Sequence, residues 1–128
     1  MARIVTAAII IRNGRVLCTR RAPGQSHAGA WEFPGGKLGK GETWRGCLER
    51  EIQEELGVTG HAGEKVCEVM HTYARGAIRL VAYRFECECD AFVLRVHDEM
   101  IWADDKMLSA LAFTAADRAI LPLVCELL

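Results

Sequence analysis

The spacing of apolar and polar residues changes period several times along the chain. Residues 3–11 (RIVTAAIII) are almost continuously apolar, as in a strand buried on both faces. Asn13-Gly14 is a strong hairpin signal, and Arg15–Arg20 reads as the partner strand. Pro23, Gly24 and Gly29 mark 22–31 as a loop. A second glycine-rich stretch runs from Phe33-Pro34-Gly35-Gly36 to Gly39-Lys40-Gly41. A helix is predicted from Thr43, its N-cap, to Leu56, with Gly57 as the stop. Trp44, Leu48, Ile52 and Leu56 recur every four residues and form its apolar stripe. Two strand-like segments fill 62–89 and divide near Ala74-Arg75-Gly76-Ala77. Met100-Ile101-Trp102 reads as a short strand and Asp104 to Leu108 as a helical turn. Ala115 to Leu127 reads as one C-terminal helix bent at Pro122. This order predicts an α/β fold, a mixed sheet with helices packed on it.

Composition narrows the class. A chain of 128 residues, 51% hydrophobic, suits one domain over 1–128 and excludes a disordered segment. No apolar run approaches the ~20 residues that span a bilayer. The start, Met1-Ala2-Arg3-Ile4-Val5, lacks a signal-peptide pattern. The net charge of −1 gives no global field for nucleic acid or anionic membrane, so neither is an expected partner. The balance of 16 basic and 17 acidic residues conceals a segregation. The first 31 residues hold five arginines (Arg3, Arg12, Arg15, Arg20, Arg21) and no acid, while 42–55 hold five glutamates against two arginines. Six cysteines, at 18, 47, 67, 87, 89 and 125, show no zinc spacing. They read as small hydrophobes kept reduced in a cytoplasmic protein; Cys87 and Cys89 would share a face of a strand.

The predicted helix carries the candidate chemistry. Glu51, Glu54 and Glu55 stand at i, i+3 and i+4, so their carboxylates share one side. Glu51 and Glu55 fall at the border of the apolar stripe, whereas a merely solubilising face would lie opposite it, near Gly46, Arg50 and Gln53. Crowded like charges at the edge of a core call for a cation. All-oxygen ligands favour Mg²⁺ or Mn²⁺ over zinc. The glycine-rich loop before the helix permits close backbone approach, and a loop feeding a helix beside a metal suits a phosphorylated ligand.

Gly36, Glu42, Arg50, Glu51, Ile52, Glu54, Glu55, Gly57 and Val58 fit the pattern G-x5-E-x7-R-E-U-x-E-E-x-G-U, with U a bulky aliphatic, at every specified position. That pattern is the Nudix box, and the chain is identified by it as resembling the Nudix hydrolases. Trp31-Glu32-Phe33-Pro34-Gly35-Gly36-Lys37 and the flanks resemble the MutT-like branch. The resemblance implies an α/β/α sandwich with a mixed β-sheet between helices. It implies Mg²⁺-dependent hydrolysis of a nucleoside diphosphate linked to a further group, by attack at the β-phosphorus in MutT-like members. Glu51, Glu54 and Glu55 would be metal carboxylates, with a carbonyl of Gly35 or Gly36 as a further ligand. Arg50 would orient the glutamates, and Glu42 would bind a metal or support the site. Glu51 is the chosen general base, with Glu54 the alternative. Relatives often carry an acid six residues before the late tryptophan. Here that position is Val96, followed by His97; Asp98 or Glu99 could replace the ligand if the loop shifts, the alternative being solvated loop acids.

The resemblance also assigns the substrate side. Arg21 would meet phosphates, with Glu32 beside the substrate. Tyr73 would lie over the base, and Asp117 would read its edge where 8-oxoguanine triphosphatases carry Asn. An ionised Asp only accepts hydrogen bonds, which suits the cytosine amine, though the ring N–H groups of 8-oxoguanine are donors too. Asp117 as a helix N-cap is compatible with either. The leading expectation is a pyrophosphohydrolase of a modified or cytosine-containing (d)NTP (8-oxo-dGTP, CTP or 5-methyl-dCTP) that sanitises nucleotide pools as a monomer or homodimer. Hydrolysis of a diadenosine polyphosphate or ADP-ribose is the second expectation. A non-catalytic nucleotide-binding domain is the third, disfavoured because no box acid is lost.

Overall fold

The computed structural model describes residues 2–88 and 90–128. Cys89, and with it the expectation that Cys87 and Cys89 share a face, lies outside the described residues. The first apolar run forms strand β1 (Arg3–Ile9), and β2 (Ile11–Arg12) turns through Asn13-Gly14 into β3 (Arg15–Arg21). Asn13 and Gly14 have φ of 54° and 72°, the left-handed pair that a two-residue hairpin between Arg12 and Arg15 requires. Short strands β4 (Trp31–Glu32) and β5 (Gly35–Lys37) precede helix α1 (Trp44–Leu56). The long hairpin of β6 (His61–Tyr73) and β7 (Gly76–Glu86) follows, then β8 (His97–Ala103).

Two four-stranded sheets result. One has the order β5-β1-β7-β6, with β1 and β7 parallel and the other pairs antiparallel. In the other, β3 pairs with β2, β4 and β8. Alternate residues of the central strands enter two different cores. Ala8, Ile10, Leu17, Val81 and Tyr83 pack with Leu48, Ile52 and Leu56 of α1. Ala7, Ile9, Val16, Cys18, Leu80 and Ala82 pack on the opposite side with Leu108, Ala116, Ile120 and Val124. The strands are apolar on both faces because helices cover both, which makes the fold an α/β/α sandwich.

Helix α1 begins and ends as its sequence predicts. Thr43 Oγ1 accepts the Gly46 N–H at 3.0 Å, and Gly57 closes the helix at φ 69°. The C-terminal region differs from expectation. It forms α2 (Asp105–Ala110), then two short helices, α3 (Ala115–Arg118) and α4 (Leu121–Cys125). Pro122 lies in the first turn of α4, where a missing N–H costs little, so it starts a second helix instead of bending one. Strand β8 also begins earlier than the predicted Met100, because pairing with Arg21 and Arg20 extends it back to His97 and Glu99. Cys18, Cys47, Cys67 and Cys125 are free thiols, and Cys18 and Cys47 are buried. Among the described residues, no helix is long and apolar enough to cross a membrane.

Gly35 lies where β5 meets β1. A Cβ at this position would overlap the Thr6 carbonyl. Gly35→Ala is expected to destabilise the protein by ~1–3 kcal/mol, read as a lower urea midpoint at unchanged m.

Candidate active site

The glutamate face of α1 is organised by one guanidinium. Arg50 donates to both oxygens of Glu42, at 2.7 and 2.8 Å. Its Nη1 also reaches Glu51 Oε1 at 2.9 Å and Glu54 Oε2 at 2.9 Å. Glu42 further accepts the Gly39 N–H at 2.8 Å, so its carboxylate closes the glycine loop onto the helix. These bonds hold the Glu42 carboxyl below its ordinary value. The Glu51 side chain is only 16% exposed and Glu54 is 57% exposed. Burial pushes the Glu51 carboxyl up, against the hydrogen bond from Arg50. The Glu51 carboxylate lies against Gly36, leaving no room there for a Cβ. Glu55 Oε1 accepts the Gly35 N–H at 3.3 Å. Burial, then the charges of Glu32 and Glu51, push its carboxyl up to about 8.

A second network lies across the cleft. Arg21 Nη1 donates to both oxygens of Glu32, at 3.1 and 3.2 Å, and Nη2 donates to Ser26 Oγ at 3.1 Å. On its other side Glu32 meets His97 Nε2 at 2.9 Å. A β-bulge makes this possible: the register of β3 and β8 shifts between Arg20 and Arg21, so that Arg21 pairs with His97. Asp117 is buried in α3, and its Oδ2 accepts the Phe33 N–H at 2.8 Å. The 112–114 segment brings it there by bonding along β4: Trp31 N–H donates to Ala112 O and Thr114 N–H to Trp31 O, both at 2.9 Å. Burial, then the charge of Glu32, push the Asp117 carboxyl up to about 8.

Two adjoining clefts connect these groups. One of about 330 Å³ is lined by Gly35, Gly36, Glu51, Glu55, Val96 and His97. The other, of about 760 Å³, is lined by Tyr73, Arg75, Ile78, Thr114 and Ala116. Arg21, Glu32, Lys37 and Asp117 line both.

Residues 6–123 match the NUDIX domain. The chain belongs to the Nudix family. It is 32% identical over 117 residues to the CTP pyrophosphohydrolase of Escherichia coli, covering 91% of this chain and 87% of that protein. It is 32% identical over 120 residues to the 8-oxo-dGTP diphosphatase of Haemophilus influenzae, covering 92% and 88%. The MutT NUDIX hydrolase from Burkholderia pseudomallei superposes with a TM-score of 0.74 at 31% identity over 97% of this chain and 98% of that one. The MutT protein from Methanosarcina mazei Go1 shares the fold, with a TM-score of 0.87 at 22% identity over 98% and 94%. This Nudix protein is therefore a MutT-type hydrolase acting on phosphoric anhydrides.

Within the Nudix site, the structure brings Gly35, Gly36, Glu51 and Glu55 to one cleft, with Glu54 at its exposed margin. Glu42 is engaged by the Arg50 guanidinium and the Gly39 N–H. Asp98 and Glu99 are not at the cleft. Arg20 Nε holds Asp98 at 2.8 Å and Arg20 Nη1 holds Glu99 at 3.0 Å, and the Arg20 guanidinium lies over the Trp31 ring. Both acids are paired with Arg20 instead of lining the cleft beside Val96. Tyr73 ends β6, with its ring edge-to-face on His71 at 4.4 Å. Asp117 is not an N-cap; Thr114 precedes α3 instead. Its burial favours the protonated carboxyl over the ionised, accept-only form expected from the sequence. A carboxyl with its pKa raised to about 8 carries a proton at neutral pH and can donate as well as accept.

The sequence reading assigned no structural role to Arg95. Its guanidinium caps the α1 carbonyls of Gln53 and Glu54 at 3.3 and 3.5 Å, while the N–H groups of Val93 and Arg95 bond Leu56 O and Glu55 O. Nothing local marks this role, since the partners lie about forty residues away. Lys37, at the end of the glycine pair, was readable only as part of that motif.

The donor set fits a hard divalent cation: Glu51, Glu54 and Glu55 supply oxygen only, beside a glycine whose missing Cβ admits the Glu51 carboxylate. As arranged, no three His, Cys, Asp or Glu side chains among the described residues converge on one point. Arg50 draws Glu51 and Glu54 to itself. Because the folded Glu55 carboxyl has a raised pKa, its stabilising contribution is intact below the unfolded value of about 4.3 and is lost as pH rises through about 8. In chelator, Glu55→Gln should therefore raise the thermal midpoint by several degrees above about pH 8 and leave it nearly unchanged near pH 4, as calorimetry would show.

Proposed function

We propose that this Nudix hydrolase is a Mg²⁺-dependent nucleoside triphosphate pyrophosphohydrolase. Its substrate is a modified or cytosine-containing (d)NTP, of the 8-oxo-dGTP, CTP or 5-methyl-dCTP type, cleaved to the monophosphate and pyrophosphate. The observation that carries this reading is the shared lining of the two clefts. Arg21, Glu32, Lys37 and Asp117 line both the cleft that holds Glu51 and Glu55 and the larger one bordered by Tyr73. The names of the E. coli and H. influenzae relatives support both substrate types. Nucleotide-pool sanitation in the cytoplasm follows as the proposed role.

Glu51, Glu54 and Glu55 would hold the metal with the Gly35 carbonyl, since that of Gly36 already accepts the Thr6 hydroxyl at 3.1 Å. Mn²⁺ satisfies the same oxygen set. The bound ion supplies neutralisation of phosphate charge and acidification of a water. The residues of the chain do the rest. Arg50 keeps three carboxylates in register. Glu51 gives one oxygen to Arg50 and accepts the proton of the attacking water at the β-phosphorus with the other. Arg21 and Lys37 meet phosphate oxygens, Arg21 as a fork already oriented by Glu32. Tyr73 stacks on the base. Asp117, one oxygen tied to Phe33 N–H, turns its other oxygen to the base edge.

A panel of canonical, methylated and oxidised triphosphates with Mg²⁺, followed for pyrophosphate, tests the reading; no release from any of them refutes it. Glu51→Gln is expected to lower kcat by about 10²–10⁴ with a smaller change in KM. Unchanged turnover would remove Glu51 as the base, and the same substitution at Glu54 then identifies its replacement.

The proton on Asp117 gives base reading a pH dependence. Below about 8 its free oxygen donates to a base acceptor, and above that it accepts from a base amine or N–H. The ratio of kcat/KM between cytosine and 8-oxoguanine triphosphates should therefore change across roughly pH 7 to 9 in the native enzyme. Asp117→Asn should hold that ratio constant over the same interval.

A further inference from the structure

Most arginines of this chain are already engaged. Arg12, Arg20, Arg21, Arg50 and Arg79 each hold a carboxylate, and Arg95 and Arg118 hold carbonyls. Arg3 and Arg75 differ. Both are exposed, and among the described residues neither guanidinium meets a carboxylate. Yet both line the larger cleft, as does the exposed Lys37. A guanidinium cannot lose its charge in a protein, so this cleft carries fixed positive charge that the chain itself does not neutralise.

Strand register gathers these cations at one end. Val5 pairs with Lys37 on one side and Leu80 on the other, and Arg3 pairs with Ile78. Paired residues, and residues two apart on a strand, share a sheet face. Arg3 and Lys37 therefore rise from the same face as Val5, Ile78 and Leu80, the apolar floor of the cleft. Arg75 lies in the turn between β6 and β7, three residues before Ile78, which is about 10 Å of strand. Two arginine side chains approaching from the ends of that gap can bridge it through one phosphate. Arg3 and Arg75 line only the larger cleft, and Glu51 and Glu55 only the smaller, so the two charged ends are separate.

With its phosphates at the α1 carboxylates, a nucleoside triphosphate brings only a neutral sugar and base to the cationic end. The second nucleoside of a dinucleoside polyphosphate is neutral too. A phosphate on the 3′ oxygen of the sugar is not: it points away from the 5′ chain and offers the oxygens that guanidinium forks recognise. We propose that Arg3 and Arg75 bind a 3′ phosphate, and that the substrates of this enzyme include nucleotides phosphorylated at both the 5′ and the 3′ oxygen. Water adds to the β-phosphorus, the bond from that phosphorus to the α-phosphate oxygen breaks, and the products are a nucleoside 3′,5′-bisphosphate and pyrophosphate. The 3′ phosphate is untouched. This inference rests on the triphosphate reading above.

The test compares the best triphosphate of the panel with the same triphosphate carrying a 3′ phosphate. In the native enzyme the 3′ phosphate should raise kcat/KM at least about tenfold. In the double variant Arg3→Gln, Arg75→Gln that advantage should fall below about twofold, with kcat/KM for the plain triphosphate little changed. Equal kcat/KM for the two forms in the native enzyme overturns the proposal, as does an advantage that survives the double substitution or an equal loss on both forms. A 5′-triphosphorylated dinucleotide, whose 3′ phosphate is a diester, separates the two sources of such a group. Preference for it identifies a chain end as the ligand and the reverse a free nucleotide; either supports the site. Binding is measured independently of turnover by titration calorimetry with cytidine and guanosine 3′,5′-bisphosphates and the matching 5′-monophosphates. At least one bisphosphate should bind native protein about tenfold more tightly than its monophosphate, and raised salt should shrink the difference. No difference for either base overturns the site. If no triphosphate is cleaved while the bisphosphate preference persists and depends on Arg3 and Arg75, the pyrophosphohydrolase reading falls and the phosphate site stands.

Discussion

Four carboxyl groups, those of Glu32, Glu51, Glu55 and Asp117, line one cleft where burial opposes their charge. Protein interiors tolerate such a group only when it is paired, hydrogen-bonded or protonated. Each solution is used here. Glu51 is held by Arg50, Glu32 by Arg21 and His97, while Glu55 and Asp117 are pushed up to about 8 and accept backbone N–H groups. The glycine pair, the end of β3, the bulge opposite it and the placement of α3 all serve to deliver these partners.

The catalytic helix is held at both ends, which restrains motion of its acidic face. Thr43 caps its first turn, and the segment leading into β8 supplies N–H groups and the Arg95 guanidinium to its last carbonyls. The same segment then delivers Val96 and His97 to the cleft. Orphan carbonyls at a helix end need partners. Satisfying them here fixes the path of a connection that would otherwise be free, so helix capping and site construction are one event.

Much of the site was legible because it is local. The spacing of Glu51, Glu54 and Glu55 places them on one helical side whatever the rest of the chain does, and Arg50 lies within reach of Glu51 and Glu54. Side chains alternate along β3, so Arg21 lines the cleft while Arg20 turns to Asp98 and Glu99. What was not legible has a physical cause. Nothing in the neighbourhood of Asp98 and Glu99 shows that Arg20 pairs with both. The polar run His97-Asp98-Glu99 looked like a loop because a bulged strand breaks the period of two.

Asp117 shows the division most clearly. Its residue type and place in the segment were visible in the chain, but the proton it carries was not, because that depends on burial against Glu32 and on the Phe33 N–H, both more than eighty residues away. The sequence by itself determined the helix, its caps, its acidic face and the two-sided apolar strands, since periodicity and capping act within a few residues. Tertiary structure alone decided which acids are desolvated, which arginine holds which carboxylate, and which residues of β3 and β8 face one another. Those outcomes depend on desolvation and on distances between chain segments far apart, and neither is written in any short stretch of residues.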